Sequence, residues 1–113
     1  MSKMFLLTML FVPGFVLGLS GEEIFKTKCM LCHTYGEGKK IGPDLKGVTK
    51  KRSPDWMKSM IKDPQAWVKT DAEAKKLFEE FKNVPMVVVP PLKDAEIKGV
   101  IDYLKKKDSV SKK

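Results

Sequence analysis

Apolar residues recur at spacings of three to five along much of this chain, a pattern that predicts short amphipathic helices. The apolar faces of three such helices are formed by Trp56, Met60 and Ile61, by Ala74, Leu77, Phe78 and Phe81, and by Ile97, Val100, Ile101 and Leu104. Two further helices are expected, one over residues 22–28 and one that begins at Pro64. The valines at 87–89 are too few for a strand and lead into two prolines, so we interpret them as an extended loop.

Glycine and proline mark the breaks between these helices. Residues 36–47 contain four glycines and Pro43, which indicates a loop. Ser53 followed by Pro54 is typical of a helix start, and that helix should end before Pro64. We therefore predict an all-α fold of four to five short helices. Loops this long in a small domain suggest that they wrap around something.

The first 20 residues differ from the rest and are predicted to be a secretory signal peptide. Lys3 is the positive start, residues 4–19 are apolar, and residues 18–20 offer small side chains for cleavage. The alternative is an uncleaved membrane anchor, which needs about 20 apolar residues without the Pro13–Gly14 break. We predict an exported protein with a mature domain over residues 21–107 and a frayed lysine-rich tail over residues 108–113.

The chain is basic, with a formal net charge of +8. Such a charge favours acidic partner surfaces, anionic membranes or nucleic acid. The lysines are scattered over predicted helices and Arg52 is the only arginine, which is unlike a nucleic-acid-binding patch. An exported protein also has little access to nucleic acid. The charge therefore favours protein partners with acidic docking surfaces or an anionic membrane face.

The segment Cys29-Met30-Leu31-Cys32-His33 is the most informative motif of the chain. Two thiols at this spacing can add to the vinyl groups of a porphyrin, and the following histidine then becomes the proximal iron ligand. Thioredoxin-type dithiols, zinc sites and structural disulfides also use Cys-x-x-Cys. The chain has only two cysteines and one histidine, one ligand short of a closed zinc site, and no βαβ pattern surrounds Cys29. The motif predicts one covalent haem c.

Further motifs follow in a recognisable order. They are Gly21 and Phe25, the cysteine motif, Gly42-Pro43-Asp44-Leu45, Ser53-Pro54-Asp55-Trp56, Val84-Pro85-Met86, and a closing helix through Tyr103-Leu104. In order and spacing they resemble the class I (mitochondrial-type) monohaem c-type cytochromes over residues 21–107. The resemblance implies a bacterial, exported protein with the small cytochrome c fold, in which helices and long loops wrap around one haem.

The resemblance also implies roles for individual residues. The cofactor-binding residues would be Cys29, Cys32, His33, Pro43, Leu45, Trp56 and Met86, with His33 and Met86 as the iron ligands. The Pro43 carbonyl would accept a hydrogen bond from the second ring nitrogen of His33. Leu45 would pack on the porphyrin, and Trp56 would lie near the propionates and donate its indole N–H to one of them. Where the first and last helices cross, Gly21 and Phe25 would meet Val100 and Tyr103.

The distal iron ligand is predicted to be Met86, which lies in an extended segment from which a side chain can approach the iron end-on. Met30 lies between the attachment cysteines and cannot reach the opposite face, whereas Met57 and Met60 lie on a helix, where methionine is more often core. The family commonly has proline after this ligand, and this chain has Val87. Met60, an open site and a lysine ligand at high pH remain the alternatives.

These features predict a monomeric periplasmic electron carrier of a respiratory chain rather than an enzyme. His/Met ligation raises the haem potential and leaves no axial position open for oxygen or peroxide. Electrons would leave at the thioether edge, near Lys28, Lys39 and Lys40, where an acidic partner could dock. Two alternatives stay open: a ligand-binding or sensing haem protein with a labile distal methionine, and an electron-input subunit of a larger oxidoreductase.

Overall fold

The computed structural model describes residues 20–110, and every regular element within that range is a helix. The helices are α1 (Gly21–Ile24), which continues as a π-helical turn (Phe25–Cys29), α2 (Val48–Lys51), α3 (Pro54–Lys62), α4 (Pro64–Thr70), α5 (Ala72–Glu80) and α6 (Asp94–Val110). The predicted all-α fold is confirmed, and the helix that was not anticipated is the single turn α2. The predicted signal peptide lies outside the described residues, apart from Ser20. From residue 20 to residue 110, no helix has the length and apolar character needed to cross a membrane.

Side-chain caps explain why three helices follow one another with almost no linker. Ser53, Asp63 and Asp71 accept hydrogen bonds from backbone N–H groups at the starts of α3, α4 and α5. Each cap satisfies a donor that has no partner within the helix. Pro54 and Pro64 occupy the first helical turn, where a missing N–H is tolerated. The local sequence thus sets the beginning of each helix.

The hydrophobic core forms where α6 contacts α1, α2 and α3. Its buried side chains are Ile24, Phe25, Cys29, Val100 and Leu104 in one cluster and Met57, Ile97 and Ile101 in the other. The predicted apolar face of α6 is therefore confirmed. On α3, however, Met57 is the buried residue, while Trp56, Met60 and Ile61 are only half-buried and line a cavity.

Two glycines lie at the crossing of α1 and α6. A Cβ atom on Gly21 would overlap the Gly99 carbonyl and lie 3.0 Å from the Val100 nitrogen, so only glycine allows this approach. Next to it, the Phe25 and Tyr103 rings pack with their centroids 5.6 Å apart. The predicted meeting of these side chains is confirmed, and Gly99 is the partner that the sequence did not reveal.

The last helix is longer than predicted. The expected frayed tail began at residue 108, but α6 continues to Val110 and Asp108 is only 3% exposed. Tyr35 and Thr49, which are distant in sequence, donate hydrogen bonds to the Asp108 carboxylate. The lysine-rich composition suggested fraying because these tertiary partners cannot be read from the local sequence.

We expect Gly21→Ala to lower the free energy of unfolding, because the added methyl group overlaps the Gly99 carbonyl and forces α1 away from α6. Overpacking of this kind costs about 1–3 kcal/mol. The matched control is Gly99→Ala, whose methyl group would meet its nearest neighbour at an ordinary 3.6 Å. Alanine also favours a helix interior over glycine by about 0.8–1 kcal/mol. Denaturant unfolding of both variants tests this, and equal stability of the two would contradict it.

Candidate functional site

A cavity of about 580 Å³ lies between the cysteine motif, α3, α4, α5 and the segment that follows α5. Its wall contains all seven predicted cofactor-binding residues: Cys29, Cys32, His33, Pro43, Leu45, Trp56 and Met86. The volume falls within the range of about 300–1,000 Å³ that is usual for ligand and cofactor sites. The structure thus brings together side chains that are up to 57 positions apart, from Cys29 to Met86.

His33 is held on two sides in a buried position. Its Nδ1 atom lies 2.8 Å from the Pro43 carbonyl oxygen, as predicted. The backbone of Gly42 lies against the ring, so close that a Cβ atom there would be 2.7 Å from the ring Cε1. A carbonyl oxygen can only accept, so Nδ1 carries the proton and the lone pair of Nε2 is left for another partner. This is the tautomer in which histidine binds a metal through Nε2.

Burial shifts the pKa values of His33 and Cys29 in opposite directions. It lowers the pKa of His33 by more than the hydrogen bond to Pro43 raises it, which favours the neutral, metal-binding imidazole. Burial raises the pKa of the Cys29 thiol to about 11, although Lys28 acts in the opposite direction. A thioredoxin-type dithiol needs a thiolate near neutral pH, so this environment argues against that alternative.

A second alternative, a zinc site, also finds no support. Across the described range of residues 20–110, no three His, Cys, Asp or Glu side chains form a group that could hold a metal ion. Cys29 and Cys32 are not joined by a disulfide. Both thiols are therefore available for attachment of a cofactor.

Asp44 gives the loop that carries Pro43 its shape. Its carboxylate accepts hydrogen bonds from the backbone N–H groups of Gly36, Gly38 and Lys46 at 2.7, 2.9 and 3.0 Å. The two glycines have φ angles of +88° and +91°, a conformation that other residues rarely adopt. Burial raises the pKa of Asp44, but these three hydrogen bonds outweigh it and hold the pKa below its usual value.

Trp56 lies in the cavity wall, but its indole N–H is not available there. Nε1 donates to the Asp71 carboxylate at 2.9 Å, the same carboxylate that caps α5. The structure therefore corrects the predicted donation from Trp56 to a propionate. Arg52 also belongs to the cavity wall, and its guanidinium carbon lies over the Trp56 ring, 4.6 Å from the ring centroid. Asp71 was not anticipated as the partner of Trp56 because the two residues lie 15 positions apart and only the tertiary structure brings them together.

Met86 and Met60 both line the cavity, so the structure is compatible with either methionine as a distal ligand. Met60 belongs to α3. Met86 lies in the irregular segment between α5 and α6, after Lys82 and Asn83, whose φ angles of 61° and 58° end the preceding helix in a left-handed turn. Val87 and Val88 of this segment also belong to the wall.

Sequence reasoning missed much of the apolar wall. Leu77, Phe78 and Phe81 were predicted to form one face of a helix, and they line the cavity together with Val68 of α4. Their spacing indicated a buried face but not what the face contacts. Trp67 was also missed: its ring meets that of Trp56 edge-on, with centroids 6.4 Å apart and an interplanar angle of 78°.

Comparison with known proteins identifies the family. Residues 19–108 match the family profile described as cytochrome c. The chain belongs to the cytochrome c family. Cytochrome c from Sesamum indicum is 56% identical over 36 residues, which cover 30% of this chain and 32% of that protein. Cytochrome c from Stellaria longipes is 57% identical over 30 residues, or 25% of this chain and 28% of that protein. The chain thus matches less than a third of the length of these curated relatives.

Solved structures cover much more of the chain. A cytochrome c from Rhodothermus marinus has a TM-score of 0.74 at 26% identity, over 80% of this chain and 76% of that one. The cytochrome c domain of the PP3183 protein from Pseudomonas putida has a TM-score of 0.67 at 36% identity, over 80% of this chain and 89% of that one. The predicted cytochrome c fold is confirmed.

The cofactor of this cytochrome c is covalently bound haem c with its iron, as predicted. The cavity fits this group in three respects: its wall is largely apolar, it contains both cysteines of the chain, and the histidine beside them has a free Nε2. These features of the cavity do not depend on the similarity to known proteins and agree with it.

We expect Gly42→Ala to displace the His33 ring and weaken its hydrogen bond to Pro43, because the added methyl group would lie 2.9 Å from Nδ1. Nitrogen NMR of the haem-loaded protein reports the Nδ1–H directly, and its signal should shift or broaden. Gly38→Ala is the control, since it strains the same loop at a positive φ angle but has no atom within 4 Å of the new methyl group. An equal change in both variants would mean that loop strain, not ring contact, is responsible.

Proposed function

We propose that this protein is a periplasmic electron carrier whose single haem c is attached through Cys29 and Cys32 and ligated by His33 and Met86. The observation that supports this most directly is the position of all four side chains in the wall of one apolar cavity. Proteins of the cytochrome c family are electron carriers with redox partners. When bound, haem c supplies one-electron transfer between ferric and ferrous iron.

The residues on the two sides of the cavity have different tasks in this proposal. His33 would be the proximal ligand, because its hydrogen bond to Pro43 and its contact with Gly42 hold the ring in the tautomer that leaves Nε2 free to bind iron. Met86 would hold the iron from the other side through its soft thioether sulfur. Ligation by both side chains would leave no iron position for oxygen or peroxide, so we propose that the protein has no enzymatic activity.

The apolar and the charged side chains of the cavity wall would affect the bound haem in different ways. Side chains such as Leu45, Leu77 and Phe78 keep water from the cavity, and a medium of low polarity disfavours the extra positive charge of ferric iron. Lys51, Arg52 and Lys69 also line the cavity. We propose that these cations offset the negative charges of the haem propionates. Arg52 lies over the ring of Trp56, the residue predicted to lie near the propionates.

We expect Met86→Ala to abolish the weak sulfur-to-iron charge-transfer band at the red end of the ferric absorption spectrum. The reduced variant should also bind carbon monoxide, because loss of the thioether opens the distal position. The matched control is Met60→Ala, which removes the other predicted candidate from the same cavity and should leave the band intact.

The two variants separate the possible ligands. Loss of the band in Met60→Ala but not in Met86→Ala would identify Met60 as the ligand. Carbon monoxide binding by the reduced wild-type protein would favour the second candidate function, a ligand-binding or sensing haem protein. The observation that favours this second function is that Met86 belongs to a segment without helical structure.

Export to the periplasm is part of the proposal. It is supported by the predicted signal peptide over residues 1–20 and by the bacterial origin of the structural neighbours. In bacteria haem c is attached outside the cytoplasm, so the cofactor requires export. We further propose that the mature protein is a monomer.

Lysines near the cysteine motif are proposed to face an acidic partner. Lys40 donates to the carbonyl of Met30 at 3.0 Å, and Lys28 to the carbonyl of Val89 at 3.2 Å. Backbone acceptors leave the positive charges of both side chains in place. Lys39 differs, because its ammonium group pairs with Glu80 at 3.0 Å. Lys28 and Lys40 are therefore the stronger candidates for steering a partner.

We expect Lys40→Glu to slow oxidation of the ferrous protein by ferricyanide, an anionic probe, at low ionic strength. The difference from wild type should vanish near 1 M salt, where charges are screened within about 3 Å. Lys105→Glu makes the same change of net charge on α6, outside the cavity wall, and should have the smaller effect. Equal slowing by both variants, measured by stopped-flow absorption, would show that net charge alone acts.

A further inference from the structure

The last turn of α6 contains a carboxylate that the proposed function does not use. Asp108 is 3% exposed and accepts four hydrogen bonds: from the Tyr35 hydroxyl at 2.5 Å, the Gly47 N–H at 2.8 Å, the Thr49 N–H at 3.0 Å and the Thr49 hydroxyl at 2.5 Å. Aspartate is rarely this buried unless it is paired. None of the ion pairs formed within residues 20–110 includes Asp108, so neutral donors satisfy it.

These hydrogen bonds also determine its charge state. Burial raises the pKa of Asp108, but the hydrogen bonds from Thr49, Tyr35 and Gly47 outweigh that effect and hold the pKa below its usual value. The side chain is therefore a carboxylate at neutral pH, able to accept from all its donors at once. Replacement by an amide would put an N–H₂ group where only acceptors fit.

The donors lie on both sides of the loop that contacts His33. Tyr35 comes two residues after His33, just before the loop over residues 36–47, whereas Gly47 is the last residue of that loop and Thr49 follows it. Between them, Pro43 accepts the hydrogen bond from His33. One carboxylate on α6 thus joins both ends of this loop to the helix that forms the core.

We propose that Asp108 is a positioning residue for His33: by tying both ends of the loop to α6, it keeps the Pro43 carbonyl within hydrogen-bond distance of the imidazole. A histidine that donates to a carbonyl is a more basic ligand through its other nitrogen, and basic ligands favour ferric iron. Loosening the loop would weaken that donation and raise the reduction potential. This inference rests on the proposed ligation of iron by His33.

The decisive variant is Tyr35→Phe, because it removes one hydrogen bond and keeps the Asp108 charge. Asp108→Asn removes the charge as well, and loss of a nearby negative charge would by itself raise the potential. Asp102→Asn is the matched control: it makes the same substitution on the same helix, at an exposed residue paired with Lys98. All three are compared with wild type as haem-loaded protein.

The primary measurement is hydrogen exchange of the His33 Nδ1–H, followed by NMR in the ferrous protein. Tyr35→Phe and Asp108→Asn should each exchange about fivefold faster, the factor for losing one hydrogen bond worth roughly 1 kcal/mol, and their potentials should rise. Asp102→Asn should change neither quantity. If Asp108→Asn does not accumulate, Tyr35→Phe decides by the same criterion.

Unchanged exchange of the His33 Nδ1–H in Tyr35→Phe and Asp108→Asn would overturn the inference, even if the thermal stability of these variants falls. Asp108 would then only hold α6 in place. An equal response in Asp102→Asn would also overturn it, since charge or general loosening would then suffice. Failure of the proposed function looks different: the wild-type spectrum itself would lack the signature of His33 and Met86 ligation.

Discussion

The fold is built around an apolar cavity that its own side chains line but do not fill. Among residues 20–110, nine apolar residues are buried, and eight of these lie on the first helical segment, α3 and α6. On α4 and α5, the apolar side chains Val68, Leu77 and Phe78 line the cavity instead. Haem c in this cavity would give these side chains the apolar contacts that a short chain with long loops cannot supply by itself.

The two sides of the cavity are constrained to different degrees. On the His33 side, the ring is confined by Gly42, hydrogen-bonded to Pro43 and surrounded by a loop that Asp44 braces from within. On the Met86 side, the chain runs from α5 to α6 without regular structure, and Val87 and Val89 are 62% and 74% exposed. In the proposed ligation, the proximal ligand is therefore confined by its neighbours, whereas the distal ligand lies in a segment without regular structure.

Carboxylates do much of the positioning outside the apolar core. Asp71 caps α5 and also holds the Trp56 indole, so that one side chain joins two elements. Asp44 and Asp108 act similarly, each accepting hydrogen bonds from several donors around the loop over residues 36–47. In a chain with 22 basic and 14 acidic side chains, acidic groups are the scarcer kind, and three of them are used for internal structure.

Local sequence was sufficient for the features that depend on neighbours along the chain. The helix starts at Ser53 and Pro64, the loop around Pro43 and the apolar face of α6 follow from spacing, capping and the restrictions of proline and glycine. The cysteine motif identified the cofactor for a similar reason, because the attachment chemistry needs those residues at that spacing. The resemblance to c-type cytochromes supplied the roles of residues that lie farther apart.

Tertiary structure decided what each buried face contacts. The α5 face lines the cavity, Met57 rather than Trp56 fills the core beneath α3, and the Trp56 N–H donates to Asp71. The sequence by itself determined most of the helices, the haem motif and its histidine, because these depend on residues a few positions apart. Only the fold decided that Asp108, in an apparent tail, is buried against Tyr35 and Thr49, because its partners lie 73 and 59 positions away.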